Sequence, residues 1–360
     1  MASNNYNSNN QFKRRSDQPH FKPRKRHRGL LWSLLIVVLI LATGGVAYGW
    51  HAYNDAKNTF DKTFQAGQTN KLRNVDDVLK QGKPFSILLM GTDTGALGRH
   101  DTGRTDTLIV ATINPTKKTA YLTSIPRDTR VQVKGDSQPY EKINAAYTIG
   151  GASSSVSTVE NLLDVPIDFY ALVNMGGLEK MVNAVGGVDV VPTLTFKYGN
   201  ANVVKGQKIH LDGKAALDYS RMREEDPLGD YGRQKRQRQI LQKLVVKGVG
   251  ISSITRYKQI LTSLNGNMKT DMTFNDMLTI RAKYGDASHH IKSQTLQGEN
   301  AMIDGISYQV APLSELQKVS NNIRRTLGLS DSTKLTSSST GTGDDSNYTS
   351  SYGSSSATGY

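Results

Sequence analysis

Phe85-Ser86-Ile87-Leu88-Leu89-Met90 is an apolar run bounded by Pro84 and Gly91. A strand with one wet face alternates apolar and polar residues, whereas an almost unbroken run of this length reads as a strand buried on both faces. A second such run, Thr107-Leu108-Ile109-Val110-Ala111-Thr112-Ile113, follows a glycine-rich loop from Gly91 to Gly103, and a third spans 119–125. Asn114-Pro115-Thr116-Lys117-Lys118 between the last two is turn chemistry, so those strands are expected to form a hairpin. Downstream, periodicity predicts helices near 153–163, 177–185, 211–217, 231–248, 274–284 and 313–327. Strands at 167–173 and 188–191 and a late strand pair around 291–310 are interspersed among them. Buried strands interleaved with amphipathic helices predict an α/β fold, a three-layer α-β-α domain with a mixed central sheet.

The formal charge of +14 first suggests nucleic acid, but its distribution matters more than its sum. Lys13, Arg14, Arg15, Lys22, Arg24, Lys25, Arg26 and Arg28 face a single acid, Asp17, in the first 28 residues. This Asn- and Ser-rich tail, residues 1–29, cannot bury a core and is expected to be disordered. Leu30 to Trp50 then runs 21 residues without a charge, with Trp32, Tyr48 and Trp50 at its ends. That length matches the roughly 20 residues needed to span a bilayer, and the aromatics stand where interfacial residues belong. A cleaved signal peptide is the competing reading, but the run is long for one and no small-x-small site precedes His51.

Positive charge before the span keeps the N-terminus cytoplasmic and sends the rest outside, so a single-pass cell-membrane protein with an extracellular domain is expected. DNA is then no partner. Residues 51–83 read as an extracytoplasmic stalk or accessory helices and 84–329 as the folded domain. Residues 330–360, Ser/Thr/Gly-rich, read as a disordered tail.

Two acids flank the first loop. Asp93 follows the first strand and Asp106 opens the second; if those strands pair, both lie at one sheet edge. Two carboxylates with open positions suit Mg²⁺, which prefers to share a phosphate oxygen; loop-capping acids are the plainer alternative. Ser124-Ile125-Pro126-Arg127-Asp128-Thr129 ends the third strand with an arginine, and Lys142 precedes a helix.

The densest cationic stretch is Asp218-Tyr219-Ser220-Arg221-Met222-Arg223, continued by Arg233-Gln234-Lys235-Arg236-Gln237-Arg238. Ile240, Leu241, Leu244 and Val245 mark the buried face of the helix that follows, and stepping that face backwards reaches Gln237, Arg236 and Arg233. Planar, bidentate guanidinium groups facing inward suggest a phosphate or pyrophosphate pocket; a solvated basic face is the other reading. Lys235 and Arg238 are expected to be solvated charge. With Arg104, Arg127, Lys142 and the two acids, the cluster describes a cation-walled phosphate site, and phosphoryl transfer requires that combination. No cysteine, Gly-x-Ser-x-Gly elbow, Walker loop or histidine metal spacing competes with it.

In order, these motifs resemble the LytR-CpsA-Psr proteins of Gram-positive bacteria, from Phe85–Asp93 and Gly103–Asp106 through Ser124–Thr129, Lys142–Gly151, Ile167–Val173 and Gly186–Val190 to Gly206–Gln237. The resemblance spans residues 85–246. It implies a membrane-anchored phosphotransferase that moves teichoic acid, capsule or a similar glycopolymer from an undecaprenyl-pyrophosphate carrier to peptidoglycan, with Mg²⁺ on the pyrophosphate. By motif, Asp93 and Asp106 match the metal-associated acids. Arg104, Arg127, Lys142, Arg221, Arg223, Arg233 and Gln237 match the pyrophosphate contacts, and Asp106, Arg104, Arg127 and Arg221 would be catalytic. An apolar tunnel for the lipid is implied but falls on no identifiable residues. The loop between Asp93 and Asp106 departs from the pattern in length, with extra Arg99 and Asp101, and residues 250–360 match no motif. A lipid-pyrophosphate hydrolase, a non-catalytic polymer-binding module and a membrane-bound transcriptional regulator are the rival readings.

Overall fold

The computed structural model describes residues 71–92, 103–249 and 266–336, with isolated positions between 50 and 64, Leu264, and 349–350. The basic tail, the apolar stretch before Trp50, Asp93 and residues 337–348 and 351–360 lie outside the described residues. Among the described residues no helix is long and apolar enough to cross a membrane. The chain divides into two units, Met1–His51 and Ala52–Tyr360, and the second is described below.

In chain order the strands are β1 (Phe85–Thr92), β2 (Thr105–Asn114), β3 (Thr119–Ile125), β4 (Arg130–Val131), β5 (Glu141–Lys142), β6 (Phe169–Asn174), β7 (Val188–Val190), β8 (Phe196–Tyr198), β9 (Ala201–Val203), β10 (Ile209–Leu211), β11 (Met268–Thr270), β12 (Ile291–Thr295), β13 (Glu299–Ile303) and β14 (Ile306–Val310). The helices are α1 (Val75–Lys80), α2 (Ala146–Leu163), α3 (Met175–Ala184), α4 (Gly213–Arg221), α5 (Gly229–Val249), α6 (Phe274–Tyr284) and α7 (Leu313–Leu327).

The three apolar runs lie side by side. β2 pairs antiparallel with β1 (Ile87 opposite Ala111) and with β3 (Ala111 opposite Leu122), so the expected hairpin forms. β6 joins β1 and β12 joins β3 in parallel, and β11 closes the edge antiparallel to β6. The sheet, ordered β11-β6-β1-β2-β3-β12, is mixed as the sequence predicts.

Alternation along the strands builds two cores. Leu88, Met90, Leu108, Val110 and Leu172 pack with Val156, Val159 and Leu163 of α2 and Leu316, Val319 and Ile323 of α7. From the other face Leu89, Ile109, Ala111 and Leu122 meet Leu241 of α5. Fully burying a Leu or Val contributes about 1.5–3 kcal/mol, so both layers are driven by the strands' unbroken apolarity. A further core joins the β7–β10 pair, β8–β9, α3, α4 and the apolar stripe of α5, with Phe196 stacked on Tyr219 at 5.7 Å.

The domain boundaries extend beyond the expected ones. Arg73 forms an ion pair with buried Asp168, Lys71 Nζ donates to the Asp168 carbonyl at 2.5 Å, and Val78 and Leu79 are buried against Phe85 and Tyr284. Residues 71–83 are therefore part of the domain rather than a stalk. At the other end Leu335 is buried in the core and Ser332 Oγ donates to Asp164 Oδ2 at 2.6 Å. α2 begins earlier than its periodicity suggested, because Gly150 and Gly151 (φ +67°) kink it and break the 3.6-residue pattern.

Candidate functional site

Asp106 is placed by an irregularity in the sheet. The β1–β2 register runs from Gly91 opposite Thr107 to Thr92 opposite Thr105, leaving Asp106 as the extra residue. A bulge of this kind re-aims a side chain, and such bulges are common beside active sites. The Asp106 carboxylate accepts from Arg127 Nη1 at 2.7 Å.

Arg127 sits in the turn that Pro126 opens after β3. The turn is pinned by Thr129 N donating to the Pro126 carbonyl at 3.0 Å and Asn144 N to the Arg127 carbonyl at 3.2 Å. Burial pulls the Arg127 guanidinium down, but the hydrogen bond to Asp106 and the charges of Asp106, Asp128 and Asp230 outweigh it and hold the group above its ordinary value. Asp128 lies between two cations, 3.6 Å from Arg127 Nε and 3.2 Å from Lys142 Nζ.

α5 brings Arg233 and Gln237 to the same place. Arg233 is ion-paired with Asp230 one turn back, and its Nη2 is 3.5 Å from the Asp106 carbonyl. Burial lowers the Arg233 pKa; Asp230 and Asp106 oppose that, while Arg127 and Arg223 add to it. Burial is thus what moves Arg233, with two acids and two cations set against each other around it. Arg221, the last residue of α4, and exposed Arg223 complete the wall.

These groups stand at one end of a cavity of about 430 Å³. Asp106, Arg221, Arg223, Glu224, Arg233 and Gln237 line that end. The remainder is apolar: Leu89, Ile109, Ala171, Val173, Leu178, Met181, Ile240 and Leu241 are among its walls. Volume and lining fit a small-molecule site, apolar with a few convergent polar groups. Arg127 Nε, Arg233 Nε and Gln237 Oε1 are buried without a hydrogen bond. A buried polar group left unmade costs about 1–3 kcal/mol, so the two guanidinium donors favour an anionic ligand, while the Gln237 oxygen needs a donor.

The predicted residues divide. Asp106, Arg221, Arg223, Arg233 and Gln237 line the cavity, and Arg127 joins them from behind through its ion pair with Asp106. Lys142 is outside the cavity lining, one step further out through Asp128, and Arg104 is exposed just before β2, within electrostatic reach of Tyr308. Asp93 lies outside the described residues, just past Thr92 at the end of β1. Arg236 is structural: its side chain is 2% exposed, ion-paired with Asp226 and donating to the Tyr219 and Met222 carbonyls.

Arg238 corrects the sequence reading. Instead of being solvated it is buried, donating to Ser124 Oγ at 2.8 Å and Thr295 Oγ1 at 2.6 Å, because its face of α5 lies over β3 and β12. Lys235 is exposed, as expected. Sequence reasoning passed over Asp128, Glu224 and Asp230; only the adjacency of Asp128 to Arg127 pointed to one of them.

For a divalent cation, the described residues hold no cluster of three or more acids or histidines. Mg²⁺ needs only one or two carboxylates when phosphate oxygens and water supply the rest. The Asp106 side chain, 28% exposed at the cavity mouth, is compatible with that donor set.

A model of the LytR_cpsA_psr family matches residues 47–325, and the chain belongs to the LytR-CpsA-Psr family. It is 45% identical over 293 residues to the polyisoprenyl-teichoic acid–peptidoglycan teichoic acid transferase TagU of Enterococcus faecalis, covering 81% of this chain and 95% of that protein. The crystal structure of Bacillus subtilis TagU aligns with a TM-score of 0.56 at 40% identity, over 71% of this chain and 99% of that one. TagT bound to LI-WTA aligns with a TM-score of 0.60 at 26% identity, over 74% and 97%.

Proposed function

We propose that this protein is a membrane-anchored, extracytoplasmic phosphotransferase that moves a teichoic acid or related anionic glycopolymer from an undecaprenyl-pyrophosphate carrier to peptidoglycan. The observation that carries the reading is the arginine wall around Asp106 at one end of an apolar cavity. A polyprenyl pyrophosphate has that polarity: a tail that gains from leaving water and a diphosphate that needs cations. The transferase name of the E. faecalis relative supports the substrate class. Against a nucleic-acid partner stands the burial of Arg233, Arg236 and Arg238, since a basic run reads DNA only through exposed cations.

Residue roles follow from position. The tail would lie along Leu89, Ala171, Val173 and Leu241, and Arg221, Arg223, Arg233, Gln237 and Arg127 would grip the diphosphate. Arginines fixed before substrate arrives stabilise charge that spreads in the transition state without reorganising. Asp106, with Asp93 as the second acid, would hold Mg²⁺, which when bound would withdraw charge from the diphosphate oxygens. Arg104 and Lys142 would meet the saccharide side of the donor. The Leu30–Trp50 stretch would anchor the chain with its basic N-terminus in the cytoplasm.

The test is to incubate the full-length protein in detergent with Mg²⁺, a synthetic polyprenyl-pyrophosphate disaccharide and peptidoglycan oligomers, then weigh the products. Oligomers heavier by the disaccharide phosphate support transfer. Free disaccharide phosphate alone would make the protein a hydrolase, and unaltered donor would reject both activities.

A further inference from the structure

Displacement at phosphorus places the entering and leaving oxygens roughly in line. On the reading above the leaving polyprenyl phosphate lies toward the apolar cavity, so the acceptor hydroxyl must approach from beyond the Asp106–Arg127 pair. Arg127 marks that side. Its Nη1 donates to Asp106 Oδ1, while its Nε faces Asp128 Oδ2 at 3.6 Å. The guanidinium therefore stands between two carboxylates, one lining the cavity and one outside it.

Asp128 is held firmly yet remains accessible. Its Oδ1 is 3.2 Å from Lys142 Nζ, its carbonyl accepts from Gln309 N at 2.8 Å, and its side chain is 33% exposed. The other described acids near the mouth are committed elsewhere. Asp230 binds Arg233 and Gln234, Asp226 is closed off by Arg236, and Asp106 and Glu224 belong to the cavity side.

The geometry points to Asp128 as the catalytic base that takes the proton of the incoming acceptor hydroxyl, an assignment that rests on the phosphotransfer reading. The proton passes to a carboxylate oxygen of Asp128 as the acceptor oxygen bonds to the polymer-side phosphorus. The bond from that phosphorus to the bridging oxygen breaks, and its electron pair leaves on polyprenyl phosphate. Asp128 then returns the proton to solvent. A positioned aspartate suffices, because phosphoryl transfer is mostly positioning and protein kinases use an aspartate for the same proton. The charged groups facing Asp128 are Arg127 and Lys142, with Asp106 and Asp230 on the far side of Arg127.

Asp128→Asn and Asp128→Ala in the full-length protein separate this role from a positioning one. The probes are a polyprenyl-pyrophosphate disaccharide as donor and a peptidoglycan oligomer as acceptor; thermal unfolding confirms that both variants fold. Donor Kd is expected to stay within about threefold of wild type, while kcat for transfer falls about 10²–10⁴-fold in both variants. Asparagine keeps the shape and an oxygen for Lys142 but cannot take a proton. Near-wild-type kcat in Asp128→Asn would overturn the base assignment alone. A wild-type protein that releases no polyprenyl phosphate would overturn the phosphotransfer reading beneath it.

Discussion

Arg236 and Asp226 form an ion pair with side chains only 2% and 7% exposed, ten residues apart across the turn that joins α4 to α5. The pair fixes the angle at which α5 leaves that turn, and therefore where Arg233 and Gln237 point. Removing one member of a buried pair strands the other charge and costs about 3–5 kcal/mol. Arg236→Ala should lower the urea midpoint accordingly, and Asp226→Ala should add little to it in the double variant. A Cβ on Gly232 would lie 1.9 Å from Asp226 Oδ2, so Gly232→Ala should mimic the loss.

Arg127→Ala and Arg221→Ala should behave differently. Neither side chain belongs to a hydrophobic core, so melting temperatures should change by no more than about 2–4 °C, the effect of roughly 1 kcal/mol in a domain of this size. Transition-state arginines are worth about 10³–10⁵ in kcat, and transfer should fall on that scale. Single-turnover rates with a lipid-linked donor measure it.

The difference between these two groups of arginines was only partly legible in the sequence. A long apolar run announces a buried strand, so β1, β2, β3 and the mixed sheet could be read directly. The stripe Ile240–Leu244 likewise located α5 and correctly pointed Arg233 and Gln237 inward. Periodicity says which face is covered but not by what. Arg236 and Arg238 are buried by a carboxylate and by two hydroxyls supplied from elsewhere in the chain, Asp226, Ser124 and Thr295. The bulge that frees Asp106 depends on a register no local pattern reveals, and three-residue strands such as β8 and β9 are too short to show a period. The cavity walls come from β1, β2, β6, β8, β11, α3, α4 and α5 together, which is why the lipid path could not be read from the sequence.

Filling the cavity should separate lipid binding from phosphate binding. Ala171→Phe adds bulk to a wall; overpacking costs about 1–3 kcal/mol and every 1.4 kcal/mol is tenfold in affinity. Long-chain polyprenyl pyrophosphate should bind roughly tenfold or more weakly to this variant. Competition by inorganic pyrophosphate should be unchanged. Equal weakening of both ligands would argue that the cavity does not hold the tail.

Glu160 provides a pH prediction away from the site. Burial raises its carboxyl pKa, against the hydrogen bond from Ile167 N and the charge of Lys71, with Asp168 adding to the rise. A pKa raised in the folded state means the folded protein binds the proton more tightly. The stability this contributes is complete below the unfolded value and is lost as pH rises through the folded one. Glu160→Gln removes that loss while keeping an acceptor for Ile167 N. It should therefore melt above wild type at neutral pH, and the gap should close as pH falls below the ordinary carboxylate range.

The most direct test of the account is photolabelling of the full-length protein by a polyprenyl pyrophosphate carrying a diazirine in its tail, followed by peptide mapping. Adducts are expected on the walls around Ala171–Leu178 and Gln237–Leu244, suppressed by excess unlabelled lipid and weakened in Arg221→Ala and Arg127→Ala. Adducts on α2 or α7, across the sheet, or labelling indifferent to those arginines, would contradict it.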